Sequence, residues 1–483
     1  MNSLTATLYL TVLLSLAPLL AVAQQQVNIL NTDRGESGVI DGEPVFKLLG
    51  NVHLETEEME LHADSAYQFE ELNLIQAFRV QIETENEIIW SDTILHDTES
   101  DYSELRGRVI IESEKNTLFS ESIDYDRRLD IAIFLDPVRF EDDRGKLIAE
   151  RGVYFQESDE AWFAGNVQLA DSSQYLESDS LFMNREVDFY QMFERVYAID
   201  HDDRISLSGQ SLEADSAGYR LLSGDAWMMR YSEAENDTTF LTSGELEIQE
   251  SDTATFISAI DEVRIWTSNF SAIADTMHYR DDIEQFQLIS NPVAWQKSIQ
   301  LSGPYIEAEM ENDEIRMLRS WSRPMIVQED TTLSRFHQMT GDTLFAWFEE
   351  GEIREVVVFD NSEMIRFLKD EDQNPDGLIE MIAAGATRVL FRNGEADSVR
   401  VSRNIDGSFL EESSGIAERR LAGFRWEPER RPDRPAMRWP RHPEITDERS
   451  FELPALYRLH LQAEGREENE GRRYPPVQPV QPR

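Results

Sequence analysis

Large apolar residues alternate with polar ones in short runs, and the runs recur along the chain at a fixed interval. Gln76-Ala-Phe-Arg-Val-Gln-Ile82, Leu105-Arg-Gly-Arg-Val-Ile-Ile111, Phe134-Leu-Asp-Pro-Val-Arg-Phe140 and Phe163-Ala-Gly-Asn-Val-Gln-Leu169 are four copies of one phrase. Val80, Val109, Val138 and Val167 are therefore 29 residues apart. An acidic residue follows each at an offset of 12, namely Asp92, Glu121, Glu150 and Asp179, and Val52 with Asp64 forms an earlier copy. A fixed period of this size marks a stacked array in which each unit buries its apolar face against its neighbours.

Alternation with period two means a strand with one buried face. A second β-rich run follows each phrase, as in Glu87-Ile-Ile-Trp-Ser-Asp-Thr-Ile-Leu95, and Gly107, Asp136-Pro137, Gly165 and Asn184 mark turns. Each repeat is thus two strands and two turns. Irregular copies continue through Val196, Gly224-Asp-Ala-Trp-Met228, Val263-Arg-Ile265, Pro292-Val-Ala-Trp295, Pro324-Met-Ile-Val327 and Val356. The whole amounts to roughly eleven units and about twenty strands, which at about 4.8 Å per strand build an elongated all-β object.

The predicted organisation is a signal peptide over 1–23, a linker over 24–44, a β-repeat array over 45–402 divisible into tandem segments 45–200 and 205–402, and an Arg/Pro-rich disordered tail over 403–483. The apolar run 8–20 with Ala21-Val-Ala23 before Gln24 fits the small-x-small cleavage rule, although the first seven residues carry no Lys or Arg. The chain has no cysteine, hence no disulfide staple and no lipidated cysteine.

Charge narrows the functions. The net charge of −49 excludes ordinary binding to a phosphate backbone, and with it nucleic acid as a partner. It also opposes attraction to an anionic membrane surface. From Glu418 onward the tail holds 14 of the 45 basic residues, 12 of the 94 acids and 10 of the 17 prolines, so it is near neutral beside a strongly acidic body. Such a tail either folds back on that body, reaches a partner, or stays solvated.

Asp64, Asp92, Asp179, Asp215 and Asp275 share an Ala/Ser-Asp-Ser/Thr context, and Asp342 differs by a preceding Gly. They read either as a ladder of cation sites or as side-chain to backbone bonds at strand ends, with the second reading preferred. Catalytic patterns are not visible. His53, His62, His96, His201, His278, His337, His442 and His460 show no paired metal-ligand spacing, and neither a Gly-x-Ser-x-Gly elbow nor a Gly-rich phosphate loop occurs. The expectation is a protein that is not an enzyme, with no cofactor and no metal ligands assigned.

The inward residues Val52, Leu54, Val80, Ile82, Val109, Ile111, Val138, Phe140, Val167, Leu169, Val263 and Ile265 stack into one apolar stripe. That stripe is either a closed core between facing sheets or an open trough.

Gly50-Asn-Val-His-Leu54 followed by Leu61-His-Ala-Asp-Ser-Ala-Tyr67, and again Gly165-Asn-Val-Gln-Leu169 with Leu176-Glu-Ser-Asp-Ser180, resemble the OstA family of lipopolysaccharide-transport proteins, which includes LptA and the periplasmic part of LptD. The likeness spans about 45–345 and more weakly to 402, as tandem repeats. It implies a V-shaped β-jellyroll whose apolar trough shields the acyl chains of lipopolysaccharide or a related lipid. It further implies a periplasmic, outer-membrane-associated location, strand-edge pairing with other Lpt-type transport proteins, and homo-oligomers. The chain lacks the several hundred further residues of an LptD-type barrel. The alternatives are a structural or surface β-solenoid with a closed, cation-stabilised core and, behind it, a polysaccharide-acting β-helix enzyme.

Overall fold

The computed structural model describes residues 27–442, apart from 57–58, 115, 143–144, 233–236, 252, 312–313, 393 and 414. The expected signal peptide lies outside the described residues. Within them the chain forms one antiparallel sheet of 34 strands, with no α-helix. No helix among the described residues is long and apolar enough to cross a membrane.

Those strands make 24 bent runs, each laid against the one before it. Fourteen, such as Leu74–Thr84 and Glu87–Asp97, are unbroken, and ten are split at the bend into two short strands, as Ile131–Phe134 and Val138–Asp142 are. Both halves of a run pair with the same neighbouring runs, so the sheet is folded along a line into two wings. At about 4.8 Å per strand spacing, 24 runs stack to roughly 110 Å. The pairing runs unbroken through residue 200, where Phe189–Asp200 pairs Ile205–Asp215, so the two proposed tandem segments share one sheet.

The bend has a local cause. Asn51, Arg79, Arg108, Asn166 and Arg195, each just before the repeating valine, have φ between 47° and 51°. At four of these five the ladder skips, between Leu49 and Val52, Arg106 and Val109, Ala164 and Val167, and Phe193 and Val196. An extra residue in the left-handed region breaks the pleat and re-aims the strand. Gly107 shows why the phrase reads Gly-x-Val: its φ is 72°, and a Cβ there would sit 2.6 Å from Asp92 Oδ2. Pro137 cannot adopt positive φ, and at that copy the strand breaks instead.

The recurring acids line this ridge. Asp92 accepts from Arg108 Nε at 2.8 Å, Asp179 from Arg195 Nε at 2.9 Å, Glu150 from Asn166 Nδ2 at 2.5 Å and Asp342 from Asn361 Nδ2 at 2.8 Å, and Asp64 pairs with Arg79 at 3.1 Å. Each ties its own bend to the bend of the next run. For Asp64, Asp92, Asp179 and Asp342 these side-chain to side-chain ties replace the side-chain to backbone bonds expected at strand ends; Asp215 keeps the expected role, ending a strand and accepting from the backbone N–H of Ala217 and Tyr219. Asp97, Asp171, Asp200 and Asp330 do the same at other hairpin turns along the rims.

Two expectations change at the ends. Residues 28–31 and 34–40, read as linker, are strands paired to Glu43–Glu55, and they were hard to see because nearly every residue in them is exposed and alternation has nothing to report. Residues 403–442, read as the start of a disordered tail, form the strand Ile405–Leu410 and then a strap that lies back along the outer face of one wing. Residues 443–483 lie outside the described residues.

Candidate functional site

The apolar stripe is the interior between the wings. Val52, Val80, Ile82, Val109, Ile111, Val138, Phe140, Val167, Leu169 and Val263 are all at most 3% exposed, and Leu54 and Ile265 pack against the same cluster half-buried. All twelve lie on the wing that follows the bend. The facing wing supplies Ala77, Ile94, Leu105, Ile123, Phe134, Phe163 and Leu181 to the same cluster, which runs without a break from Leu48 to Phe391. Phe140 meets Phe134 and Phe163 across the interior, edge to face, at centroid distances of 5.8 and 5.6 Å. The interior is therefore packed where the sequence placed the trough, and a ligand reaches these residues only when the wings part.

Space remains further along. Ile299, Ile326, Met339, Val356, Met364, Val389 and Phe391 line a small recess that is half open to solvent and bordered by His337 and Arg366. The sequence places Pro324-Met-Ile-Val327 and Val356 among the irregular repeats but gives no sign that the interior opens there. The rims are joined over this region: Gln296 Nε2 donates to Gly351 O at 2.6 Å, Lys297 pairs with Glu352 at 2.5 Å, and Gln328 Nε2 donates to Gly394 O at 2.9 Å.

His337 carries a measurable consequence. Burial, and then the Arg366 charge, push its pKa down to about 4, against the opposing pull of Asp330. Its Nδ1 accepts the Phe367 backbone N–H at 3.2 Å, a bond only the neutral ring can make. Between pH 6.5 and 4 the unfolded chain binds a proton that the folded chain refuses, so stability falls as pH drops through that window and the loss is complete below about 4. At about 1.4 kcal/mol per pKa unit this amounts to roughly 3 kcal/mol. Hydrogen exchange of the strands Arg335–Thr340 and Ser362–Lys369, followed against pH, is expected to show this slope, and His337→Gln is expected to flatten it.

The two ends of the sheet complete the picture. Among the described residues, the first run, Asn28–Asn31 with Arg34–Ile40, pairs only with Glu43–Glu55, and the last, Glu395–Val401 with Ile405–Leu410, pairs only with the preceding strands. Large apolar side chains are exposed at both: Ile29, Leu30 and Val39 at one, Ile382, Ile405 and Phe409 at the other. An edge strand beside exposed apolar residues is what a further strand needs in order to dock.

Fold and interior define a class of protein: a long antiparallel sheet bent into two wings, with an apolar interior and two open sheet edges. Residues 24–179, about a third of the chain, match the family model described as OstA-like protein, so the resemblance read from the repeats holds over that segment. Among solved structures, the crystal structure of LptH from Pseudomonas aeruginosa, described as the LptA homologous periplasmic component of the conserved lipopolysaccharide transport device, is 18% identical, covers 22% of this chain and 80% of its own, and superposes with a TM-score of 0.20. No curated protein matches the chain.

Proposed function

We propose that this protein binds the acyl chains of lipopolysaccharide or a related lipid between its wings and passes the lipid along without chemistry, as a periplasmic OstA-like carrier working toward the outer membrane. The observation that carries this reading is the unbroken apolar interior from Leu48 to Phe391, with its half-open recess around Met339 and Phe391. Each methylene moved from water into such an interior gains about 0.8 kcal/mol, enough in sum to hold an acyl chain. The OstA-like match over 24–179 supports the same reading. Open edges at both ends suit partners that add strands, whether transport proteins of the same type or second copies of this chain.

Photo-crosslinking tests it. A benzophenone residue at Val109 or Ile111 faces the interior, while one at Ile110 or Glu112 faces outward. Adducts with lipopolysaccharide are expected at 109 and 111 and not at 110 and 112.

The near-complete burial of the inner valines favours a second reading, a structural β-solenoid whose core never opens. In that case neither pair forms adducts while the protein stays folded.

A further inference from the structure

At the first end of the sheet, on the outer face, two histidines and a glutamate converge. The hairpin of Glu43–Glu55 and Met59–Phe69 places His53 directly opposite His62, with Glu60 one step nearer the turn. The same register puts Val52 and Leu54 inward against Ala63 and Leu61, which leaves 53, 60 and 62 together on the other face. The two imidazole rings stack with centroids 4.1 Å apart. Both present Nε2 to one oxygen, Glu60 Oε2, at 3.1 Å from His53 and 3.8 Å from His62. One ligand atom from each of the three falls within 4.8 Å of the others.

The surroundings add a reason for a cation. Glu55 lies opposite Glu60 on one side and Glu83 lies opposite it on the other, so three carboxylates stand in a row across three strands. Like charges directly opposite in a sheet are destabilising, and a bound cation relieves them. Two imidazole nitrogens with one carboxylate suit zinc and its neighbours rather than Ca²⁺ or Mg²⁺, which take oxygen ligands.

We propose that His53, Glu60 and His62 bind one divalent transition-metal ion of the zinc class, clasping the first hairpin beside the edge strand Asn28–Asn31. Three protein ligands leave a further position for water or for a group brought by a docking partner.

The test uses the full-length protein, metal-free at the start. Zn²⁺ titration by calorimetry is expected to show one saturable site per chain that excess Ca²⁺ or Mg²⁺ does not displace, and His53→Ala and His62→Ala are each expected to weaken it by about tenfold or more. Both side chains lie on the surface, so the variants keep the fold, which circular dichroism checks. Independently of any variant, Cu²⁺ at one equivalent is expected to give an electron paramagnetic resonance spectrum with coupling to two imidazole nitrogens. The proposal is overturned if binding is non-saturating, if both variants bind as the unaltered chain does, or if the spectrum shows oxygen ligands alone, since each of these describes diffuse association with an acidic surface.

Discussion

Truncation after Leu410 is expected to loosen the outer face of the wing that carries the repeating valines, from the strand Gln174–Asn184 to Ser362–Lys369, while leaving the interior paired. The strap is held there by buried polar clamps. Gln338 donates to Arg419 O at 3.1 Å and accepts from Leu421 N at 2.8 Å; Gln300 donates to Arg425 O at 3.0 Å and accepts from Glu427 N at 2.8 Å. Glu177 accepts the backbone N–H of Arg441 and of His442 at 2.7 and 3.2 Å. Between the clamps, Arg420 stacks over Phe336 and Phe424, Arg434 over Phe240 and Trp266, and Arg438 over Trp227.

Removing the strap uncovers those aromatics and leaves Gln338, Gln300 and Glu177 without these partners, at about 1–3 kcal/mol for each polar group that water fails to satisfy. Ordering the strap costs roughly 1–2 kcal/mol per residue, so the net effect is far smaller than the gross contacts. A long array need not unfold in one step, and the loss is best read locally. Faster amide exchange in the outer-face strands and a red-shifted tryptophan emission are expected. Raising salt is expected to weaken the strap of the intact chain in the same direction, because Arg419–Glu380, Arg438–Asp225 and Arg441–Asp179 are ion pairs near the surface. Burial pushes the Asp179 carboxyl up, but Arg195 and Arg441 outweigh it and hold its pKa below the usual carboxylate range, so this tie also weakens as pH falls through that lowered value.

The array was legible because its two registers report real geometry. An offset of 12 from Val80 to Asp92 is one half-run, a turn and the returning half-run, which brings the acid back to the ridge; the further 17 residues to Val109 are the longer excursion over the other wing. What recurrence does not reveal is which neighbour each acid meets. Asp92 faces Arg108, sixteen residues on, through a left-handed backbone that the phrase Gly-Arg-Val encodes only to a reader who knows the strand bends there.

The strap was not legible for a different reason. It runs across the strands, so its contacts follow strand spacing instead of any repeat of its own. Arg434 to Arg441 spans seven residues, about 23 Å when extended at ~3.3 Å each, close to the roughly 22 Å of four to five strand spacings between Phe240 or Trp266 and Glu177. Only its surplus of Arg beside an acidic body hinted that it folds back. His53 and His62 were scattered in the sequence for a related reason: they become neighbours only once the register Val52 with Ala63 and Leu54 with Leu61 is fixed.

Phe140→Ala is expected to cost about 3–5 kcal/mol, the usual range for deleting a fully buried aromatic ring. The side chain is 1% exposed and joins one wing to the other through Phe134 and Phe163, so the void it leaves lies where the wings meet. Hydrogen exchange in the strands Ile131–Phe134, Val138–Asp142 and Glu160–Asp171 measures that cost. The same variant separates the two readings of the interior. If the wings part to admit acyl chains, the weakened contact lowers the cost of parting, and the variant is expected to take up an apolar fluorescent dye and lipid faster than the intact chain, competitively with each other. If the interior is a permanently closed core, the variant is destabilised by the same amount, yet any dye it binds occupies only the small void left by the ring, and lipid does not displace it. The energetic cost therefore reports the packing, and the competition between dye and lipid reports whether the packing opens.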